Sequence, residues 1–427
     1  MLALYEYPEK KAWKSLLLRP SLDDSSLEAS VSNILKEVKQ NGDEAVKRFA
    51  TMFDKVTIKD FLVSADEISA AVSLVDEELK QAIQQAKSNI EKFHQAQIRT
   101  EEPIEIMQGI KCWRKLVAIE KVGLYIPGGT APLFSTLLML GIPAAIAGCK
   151  NIILCSPPNR EGKLHPAMLY AAKLVGVTQI FKVGGAQAIG AMAYGTASIP
   201  KVYKIFGPGN QYVTYAKQLV QKDGTAIDMP AGPSEVAVLA DETAKASFVA
   251  ADLLSQAEHG SDSQALLVTT SETLATDTKI EIEKQLSVLP RKGIAEDAIK
   301  NSRIFLVRNI KEGIELINEY APEHLIISCK DDENIAEKIV NAGSVFLGNY
   351  SPESVGDYAS GTNHTLPTNG YARAYSGVSA DSFIKKITFQ KLSKEGLQEI
   401  SKTVERMAEA EGLEAHLNAV KVRLSNG

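Results

Sequence analysis

The sequence predicts an α/β protein with two parallel-sheet blocks, a helical N-terminal region and a helical C-terminal tail. From about residue 116 to residue 348, short apolar strands alternate with helices, a pattern typical of parallel sheets covered by helices on both faces. Apolar residues recur at helical spacing over residues 22–98, and a polar helical pattern covers 393–424. A chain of 427 residues is too long for one ordinary core.

The elements follow one another in a regular order. In the N-terminal region Gly42 interrupts the helical pattern. The first block has the strand-like runs "KLVAIEKVGLYIP", "NIILCSPP", "QIFKVGG" and "KVYKIFGPG", and helices at 133–148, 164–175, 185–195 and 210–220. The second block has the strands "EVAVLA", "QALLVTT", "RIFLVRN", "HLIISC" and "SVFLG", and helices ending at 258 and at 272–286, 310–320 and 332–340. Residues 349–378 predict a long functional loop, and Gly412 breaks the tail.

These patterns divide the chain into four regions. We expect an N-terminal helical region at 1–115, α/β domains at 116–230 and 231–378, and a helical tail at 379–427. The two α/β blocks have similar lengths, which is consistent with a duplicated fold, although no residue-level repeat supports duplication.

Composition excludes several classes of partner. The chain is 45% hydrophobic and 23% charged, as is usual for globular proteins. Its formal charge of -5 comes from 47 basic and 52 acidic residues without a basic run, so we expect neither nucleic acid nor an anionic membrane as partner. No apolar run is long enough to span a bilayer, and "MLALYEYPEK" lacks the apolar core of a signal peptide. A cytoplasmic protein is predicted.

The four cysteines form no C-x-x-C pair, which argues against a zinc ribbon or a disulfide framework. We expect all four to fill the core. They are Cys112, Cys149, Cys155 and Cys329.

Three glycine-rich turns lead from a strand into a helix: "YIPGG" (125–129), "VGGAQAI" (183–189) and "FGPGNQYV" (206–213). Helix N-termini favour anions such as phosphate, and ligands of parallel sheets bind beyond the carboxyl ends of strands. None of the turns matches G-x-G-x-x-G, because Tyr212 stands at the third glycine position of the last one. Turns need glycine in any case, so both a nucleotide site and ordinary turns remain open.

Polar residues of the second block offer candidates for chemistry. "LLSQAEHGSD" places Gln256 and His259 three apart, so that on a helix they would share one face. This segment is either a solvated helix end or half of a metal or substrate site. Glu323 and His324 precede an apolar strand and could act as general acid and base, or form a solvated turn.

The six histidines divide into two groups. We expect His94, in the N-terminal helices, and His165, at a helix start, to be ordinary surface residues. The others lie beside glycine or acidic residues, and Asp357 lies in the predicted loop. Two histidines and a carboxylate would suit zinc, but each histidine taken alone is more often structural. These four are His259, His324, His364 and His416.

Eight segments in order resemble the histidinol dehydrogenase family. They run from residue 122 to residue 416: "VGLYIPGG", "KVGGAQAI", "IFGPGN", "DMPAGPSEV", "LLSQAEHG", "APEHL", "VGDYASGTNHTLPT" and "EGLEAH". The resemblance implies two incomplete, Rossmann-like nucleotide-binding domains. It also implies a zinc-dependent oxidation of L-histidinol to L-histidine in two hydride transfers to two NAD⁺, as the last steps of histidine biosynthesis, by a homodimer whose tails complete the neighbouring sites.

The resemblance also implies roles for individual residues. His324 would take the alcohol proton, and Glu323 would activate the water that hydrates the aldehyde. The implied Zn²⁺ ligands are Gln256, His259, Asp357 and His416. The implied NAD contacts are Tyr125, Gln187 and Asn210. The implied substrate contacts are Ser234, Gln256, His259, His324, Asp357, His364, Glu411 and His416.

Two other functional classes compete with this interpretation. A zinc hydrolase would also use Glu and His near a metal, but the sequence lacks H-E-x-x-H, and Ser255 occupies the first position of an inverted H-x-x-E-H. A non-catalytic binding module would leave the Glu323–His324 pair and the glycine-rich strand ends without a role.

Overall fold

The computed structural model of the chain describes residues 2–20, 24–128, 131–230 and 232–425. Gly129 of the first glycine-rich turn, Ala231 at the start of the second predicted block and residues 22–23 of the predicted helical region lie outside the described residues. The architecture confirms the predicted fold class. Two parallel sheets carry helices on both faces, and a small antiparallel sheet lies beside them.

The N-terminal region is helical for most of its length. Its first elements are β1 (Ala3–Glu6), α1 (Lys10–Leu16), α2 (Asp24–Phe49), a π-helical turn Ala50–Asp54, α3 (Ala65–Leu74) and α4 (Glu77–Gln95). As predicted, Gly42 interrupts α2, with a φ of 50° that glycine tolerates best. Two strands that were not predicted as such follow, β2 (Ile104–Met107) and β3 (Ile110–Ala118).

The first parallel sheet has five strands, β4 (Lys121–Tyr125), β5 (Asn151–Ser156), β6 (Gln179–Lys182), β7 (Lys204–Phe206) and β8 (Ala226–Ile227), in the order β6-β5-β4-β7-β8. Its helices are α5 (Phe134–Ala147), α6 (Pro166–Val175), α7 (Gly185–Tyr194) and α8 (Gln211–Lys222). Successive strand residues point to opposite faces. Leu124 packs with α3 to α6 and Tyr125 with α2, α7 and α8, so the N-terminal helices complete the cover of this sheet.

The second parallel sheet has six strands in the order β1-β11-β10-β9-β12-β13. Its strands besides β1 are β9 (Glu235–Ala240), β10 (Gln264–Thr269), β11 (Arg303–Leu306), β12 (His324–Ser328) and β13 (Ser344–Leu347). Its helices are α9 (Ala246–Ala257), α10 (Glu272–Leu286), α11 (Lys292–Asn301), α12 (Ile310–Tyr320), α13 (Asp332–Ala336) and α14 (Glu353–Tyr358). The sequence did not predict α11, and it placed Asp357 in a loop, whereas Asp357 lies in α14.

The C-terminal tail contains β14 (Ile384–Leu392), α15 (Lys394–Ala410) and α16 (Glu414–Ser425), and Gly412 separates the two helices as predicted. Strand β14 pairs antiparallel with β3, which pairs with β2. The run "KLVAIEKVGLYIP" therefore belongs to two sheets, because it contains the end of β3 and the whole of β4. The bounds of the four predicted regions stay predictions. No helix of the described residues is long and apolar enough to cross a membrane.

The cysteines follow the core prediction only in part. Cys155 and Cys329 are buried, whereas Cys112 and Cys149 are half-buried. Cys112 lies on β3 of the small antiparallel sheet and Cys149 follows the end of α5, so neither belongs to the fully enclosed sheet interior.

Candidate active site

Glu323 and His324 lie at the amino end of β12. Helix α12 ends at Tyr320, Ala321 takes a left-handed conformation with φ 53°, and Pro322 prevents the helix from continuing. The chain therefore turns directly into the strand. Glycine-rich turns at the carboxyl ends of the first sheet follow the general rule for ligand sites, but this pair occupies the amino edge of the second sheet.

The backbone of Glu235 contacts both members of the pair. Its N–H donates to Glu323 Oε2 at 2.9 Å, and its carbonyl oxygen lies 3.2 Å from His324 Nδ1. A carbonyl only accepts, so Nδ1 carries a proton whether the ring is neutral or charged, and Nε2 is the nitrogen that can exchange one. His324 Nε2 lies 3.3 Å from Asp357 Oδ1. Neither atom has a partner with hydrogen-bond geometry among the described residues.

Burial and charge shift the titration of these groups in opposite directions. Burial raises the pKa of Glu323 because it disfavours the carboxylate. Burial alone would lower the pKa of His324, but the carboxylates of Glu323 and Asp357 outweigh it and raise that pKa. Burial alone would raise the pKa of Asp357, but contact with His324 and the charge of the nearby histidines hold that pKa below its usual value.

Gln256 reaches the same edge from α9, which runs antiparallel to β9. The side chain is buried. Its amide satisfies both polar atoms when Nε2 donates to Glu353 Oε1 and Oε2, at 3.0 and 3.1 Å, and Oε1 accepts from Glu235 N at 3.3 Å. Ser255 Oγ also donates to Glu353, at 2.5 Å. The buried Glu353 carboxylate thereby directs the amide oxygen of Gln256 toward the Glu323–His324 pair.

His259 does not share a helical face with Gln256, because α9 ends at Ala257. A turn in which His259 N donates to Gln256 O at 3.2 Å brings it back toward the site. The residue as a whole is exposed, but partial burial of its imidazole lowers its pKa, and the nearby Asp357 carboxylate acts against that shift. Gln256, His259 and Asp357 therefore lie on the same side of the subunit as His324, although their sequence spacing could not place them together.

His364 connects this cluster to the first sheet's helices. Its Nδ1 lies 2.8 Å from the Asp357 carbonyl oxygen and its Nε2 lies 3.0 Å from Thr136 Oγ1 on α5. The neighbouring Asn363 contacts His94 Nε2 at 3.3 Å. The prediction that His94 is a surface residue is wrong, since its side chain is fully buried. His165, by contrast, is exposed at the start of α6, as predicted.

The predicted NAD contacts line one cavity of about 1570 Å³ at the carboxyl edge of the first sheet. Its lining includes Tyr125, Gln187 and Asn210. Gln187 is fully buried, and neither of its amide atoms has a hydrogen-bond partner among the described residues. Gly207 lies so close to Tyr125 that a Cβ there would meet its carbonyl oxygen at 1.9 Å. The glycine of "FGPG" thus permits a close backbone approach at the cavity wall.

Within one chain the predicted tail residues do not reach the cluster around the Glu323–His324 pair. Glu411 and His416 are both exposed, and α16 buries no residue. Ser234, in contrast, directly precedes Glu235 and lies at the same edge as the Glu323–His324 pair.

Three residues of the site, Glu235, Glu353 and Thr136, were not predicted from the sequence. Glu235 did carry a signal, because it opens the apolar run "EVAVLA", where a charged side chain needs a partner. Glu353 and Thr136 stand in segments where a carboxyl or hydroxyl is common, so nothing in the sequence distinguishes them.

Comparison with known proteins identifies the family of the chain. The sequence model described as histidinol dehydrogenase matches residues 17–424. Histidinol dehydrogenases of Bacteroides thetaiotaomicron and Bacteroides fragilis are 59% and 61% identical, over 100% and 99% of this chain and 99% and 98% of theirs. The crystal structure of histidinol dehydrogenase from Elizabethkingia anophelis superimposes with a TM-score of 0.97 at 57% identity, covering 100% of this chain and 98% of that one. The chain therefore belongs to the histidinol dehydrogenase family and is an oxidoreductase of histidine biosynthesis.

Proposed function

We propose that the protein oxidises L-histidinol to L-histidine through L-histidinaldehyde, using Zn²⁺ and two molecules of NAD⁺. The observation that carries this proposal is the buried Glu323–His324 pair beside Asp357 in a chain of this family. An alcohol oxidation needs a base for the hydroxyl proton, and oxidation of the aldehyde needs an activated water. The pair offers one group for each task.

His324 is the base for the alcohol. The Glu235 carbonyl oxygen keeps a proton on Nδ1, so Nε2 is the nitrogen that accepts the proton of the substrate hydroxyl when the ring is neutral. Glu323 is the base for water in the second step. Burial raises its pKa toward the range in which a carboxylate takes a proton readily at neutral pH.

The donor set proposed for zinc is Gln256, His259 and Asp357 of one chain with His416 of a second copy. The donor types fit, because imidazole nitrogen and carboxylate oxygen are ordinary zinc ligands. Asp357 Oδ1 is buried and lacks a hydrogen-bond partner among the described residues. The described residues of one chain contain no group of three His, Cys, Asp or Glu that could hold a metal. This is expected if a second copy supplies the last ligand.

Zinc bound there would hold the amine and imidazole nitrogens of the substrate, which are good ligands for it. The neutral amide oxygen of Gln256 makes a weaker donor set than the usual histidine, cysteine and carboxylate ligands. This suits a metal that orients substrate more than one that generates hydroxide.

Tyr125, Gln187 and Asn210 are the proposed contacts to NAD⁺, which accepts the hydride when bound. The unpartnered amide of Gln187 supports this assignment, since a buried amide normally has partners and a ligand would supply them. The cavity exceeds the usual volume of a drug-sized pocket, as a dinucleotide requires.

The remaining substrate contacts complete the proposed site. Ser234 and His364 lie near the pair in the same chain, and Glu411 and His416 come from the tail of a second copy. The functional unit is then a cytoplasmic homodimer with two shared sites.

The test is a turnover assay with purified protein, histidinol and NAD⁺, before and after treatment with a chelator. We expect two NADH for each histidinol consumed, loss of turnover on chelation, and recovery when Zn²⁺ is added back. Imidazole ligands must be neutral, so zinc retention should also weaken as pH falls. Full activity in a preparation that elemental analysis finds free of metal would overturn the zinc assignment. A zinc-loaded preparation that forms no NADH from histidinol but cleaves an added peptide substrate would favour the hydrolase.

A further inference from the structure

The side chain of Glu235 is held from several directions although it touches no reacting group. It is buried, and its carboxylate accepts from Arg19 Nε at 2.5 Å and Arg19 Nη2 at 2.9 Å. Asn369 N donates to the same carboxylate at 2.7 Å. A two-point contact between guanidinium and carboxylate fixes both position and orientation. Glu235 is therefore anchored more firmly than its place at a strand end requires.

The peptide groups on either side of the Glu235 α-carbon are the ones that hold the Glu323–His324 pair. The N–H binds Glu323 and the carbonyl contacts the His324 ring, as described above. The same N–H lies 3.3 Å from the amide oxygen of Gln256. A displacement of Glu235 would thus move three groups of the site together.

Arg19 also contacts the turn that leads into the pair. Its Nη2 donates to the carbonyl oxygens of Tyr320 and Ala321, at 2.8 and 3.4 Å, and its guanidinium lies 4.0 Å from the centroid of the Tyr320 ring. Ala321 has a left-handed φ of 53°, which a residue with a Cβ adopts only when its surroundings compensate. Glu323 follows two residues later.

We propose that Arg19 and Glu235 are positioning residues for the Glu323–His324 pair. Arg19 holds the Glu235 carboxylate on one side and the Tyr320–Ala321 turn on the other, and this fixes the backbone that orients both side chains. The inference rests on the proposed roles of Glu323 and His324. It assigns a function to an arginine that lies far from the pair in sequence and precedes both α/β blocks.

The test compares Arg19→Ala, Arg19→Lys and Arg303→Ala with the wild-type holoenzyme. Arg303 is the matched control, because its Nη1 donates to the carbonyl oxygen of Leu18 at 2.9 Å and so holds the same segment without touching Glu235. Zinc content and thermal unfolding are measured for each variant, and kcat is expressed per zinc-loaded site. This normalisation separates misplacement of the pair from a loss of folded protein.

We expect Arg19→Ala to lower kcat by about 10²-fold, with a much smaller change in the KM for histidinol, since misplacement of reacting groups by about 1 Å has that effect. Oxidation of histidinol and of histidinaldehyde should both slow, because Glu235 holds both Glu323 and His324. Arg19→Lys keeps the charge and should recover part of the rate. It also retains a cation for the buried carboxylate, which keeps the test usable if Arg19→Ala does not fold. Arg303→Ala should retain the wild-type kcat.

Two results would overturn this inference and leave the proposed function standing. The first is a kcat for Arg19→Ala within about twofold of wild type while Glu323→Gln is impaired. The second is a loss of kcat in Arg303→Ala equal to that in Arg19→Ala. If Arg19→Ala does not fold, an unchanged kcat in Arg19→Lys would equally contradict the inference. Wild-type turnover in Glu323→Gln would overturn the proposed function and this inference with it.

Discussion

At the scale of single residues, the division of labour between Glu323 and His324 leads to a selective prediction. Glu323→Gln keeps the size of the side chain and can still accept from Glu235 N–H, but it removes the base. Loss of a general base typically costs about 10²–10⁴ in rate. We expect that loss in the oxidation of histidinaldehyde, where water must be activated, and a smaller one in the oxidation of histidinol. Single-turnover rates for the two substrates measure the difference.

A matched control is Glu337→Gln, which removes a carboxylate exposed just beyond α13. This variant should oxidise both substrates at the wild-type rate. Equal losses in the two half-reactions of Glu323→Gln would mean that the two roles cannot be separated as proposed.

Glu353 gives a second prediction at this scale. It accepts from the Gln256 amide and from Ser255, so it fixes the direction of a proposed zinc ligand. Loss of such an outer partner typically costs about 10–100-fold in metal affinity. We expect Glu353→Ala to bind Zn²⁺ about 10–100-fold more weakly in a competition titration with a fluorescent chelator.

The matched control here is Glu258→Ala, because Glu258 directly follows the helix that carries Gln256 but has no contact with the Gln256 amide. Zinc affinity should be unchanged in that variant. Wild-type zinc affinity in Glu353→Ala would contradict the proposed role of Glu353.

The site also shows what can be predicted residue by residue. Adjacent Glu323 and His324 stood out because an acid and an imidazole opened an apolar strand. Asp357 stood out only as a carboxylate among histidines, and Glu353 did not stand out, since both lie far from the pair in sequence and only the fold brings them together. His94 was misjudged because a histidine on a polar amphipathic helix usually faces solvent. Here the loop that carries Asn363 covers it.

At the scale of elements, the alternating blocks were predicted well because each strand and helix carries its own periodicity. The antiparallel sheet was missed for the opposite reason. Strand β14 pairs with β3 across more than two hundred residues, and neither strand has a clear alternation of buried and exposed positions. Long-range pairing of half-exposed strands leaves little local signal.

Helix α4 carries a prediction about stability through the buried His94. Burial lowers the pKa of its imidazole below the ordinary value of 6.5. The unfolded chain therefore binds a proton near pH 6.5 while the folded chain does not, and stability falls as pH drops from there toward the folded pKa. The slope contributed by one such group is about 1.4 kcal/mol per pH unit.

We expect His94→Gln to flatten the fall in unfolding free energy below pH 6.5, because glutamine does not titrate in this range. Denaturant unfolding between pH 5 and 7 measures the slope. The control is His165→Gln, which removes an exposed histidine at the start of α6 and should leave the slope as in wild type. An identical slope in wild type and His94→Gln would show that the buried imidazole does not account for the acid sensitivity.

At the scale of the whole molecule, the tail helices are only lightly packed among the described residues, where α15 buries Gly396, Ser401 and Ala408. Helix α16 buries no residue, and α15 presents Met407 to solvent at 61% exposure. A helix of this length is marginal in water without tertiary contacts. The exposed apolar positions and the exposed Glu411 and His416 are expected if the tail packs on a second copy and completes its site.

Mixed refolding separates this arrangement from a tail that serves its own subunit. Inactive Glu323→Ala chains and inactive Glu411→Ala chains are unfolded together in equal amounts and refolded. If Glu411 acts across the interface, each mixed dimer has one doubly damaged site and one intact site. Random assembly makes half of the dimers mixed, so about a quarter of wild-type activity should return. If both residues served the same chain, every site would keep one lesion.

The matched control is a mixture of Glu323→Ala and Asp357→Ala chains, whose lesions both lie in the body of the subunit. Each site of that mixed dimer retains one lesion, so no activity should return, whichever chain supplies the tail. Different affinity tags on the two variants allow mixed dimers to be isolated and counted. If mixed dimers of Glu323→Ala with Glu411→Ala are inactive while refolded wild type recovers its full activity, Glu411 acts at the site of its own chain. Recovery confined to the Glu411 mixture would require two copies of the chain for every complete site, because the body and the tail that form that site would then come from different subunits.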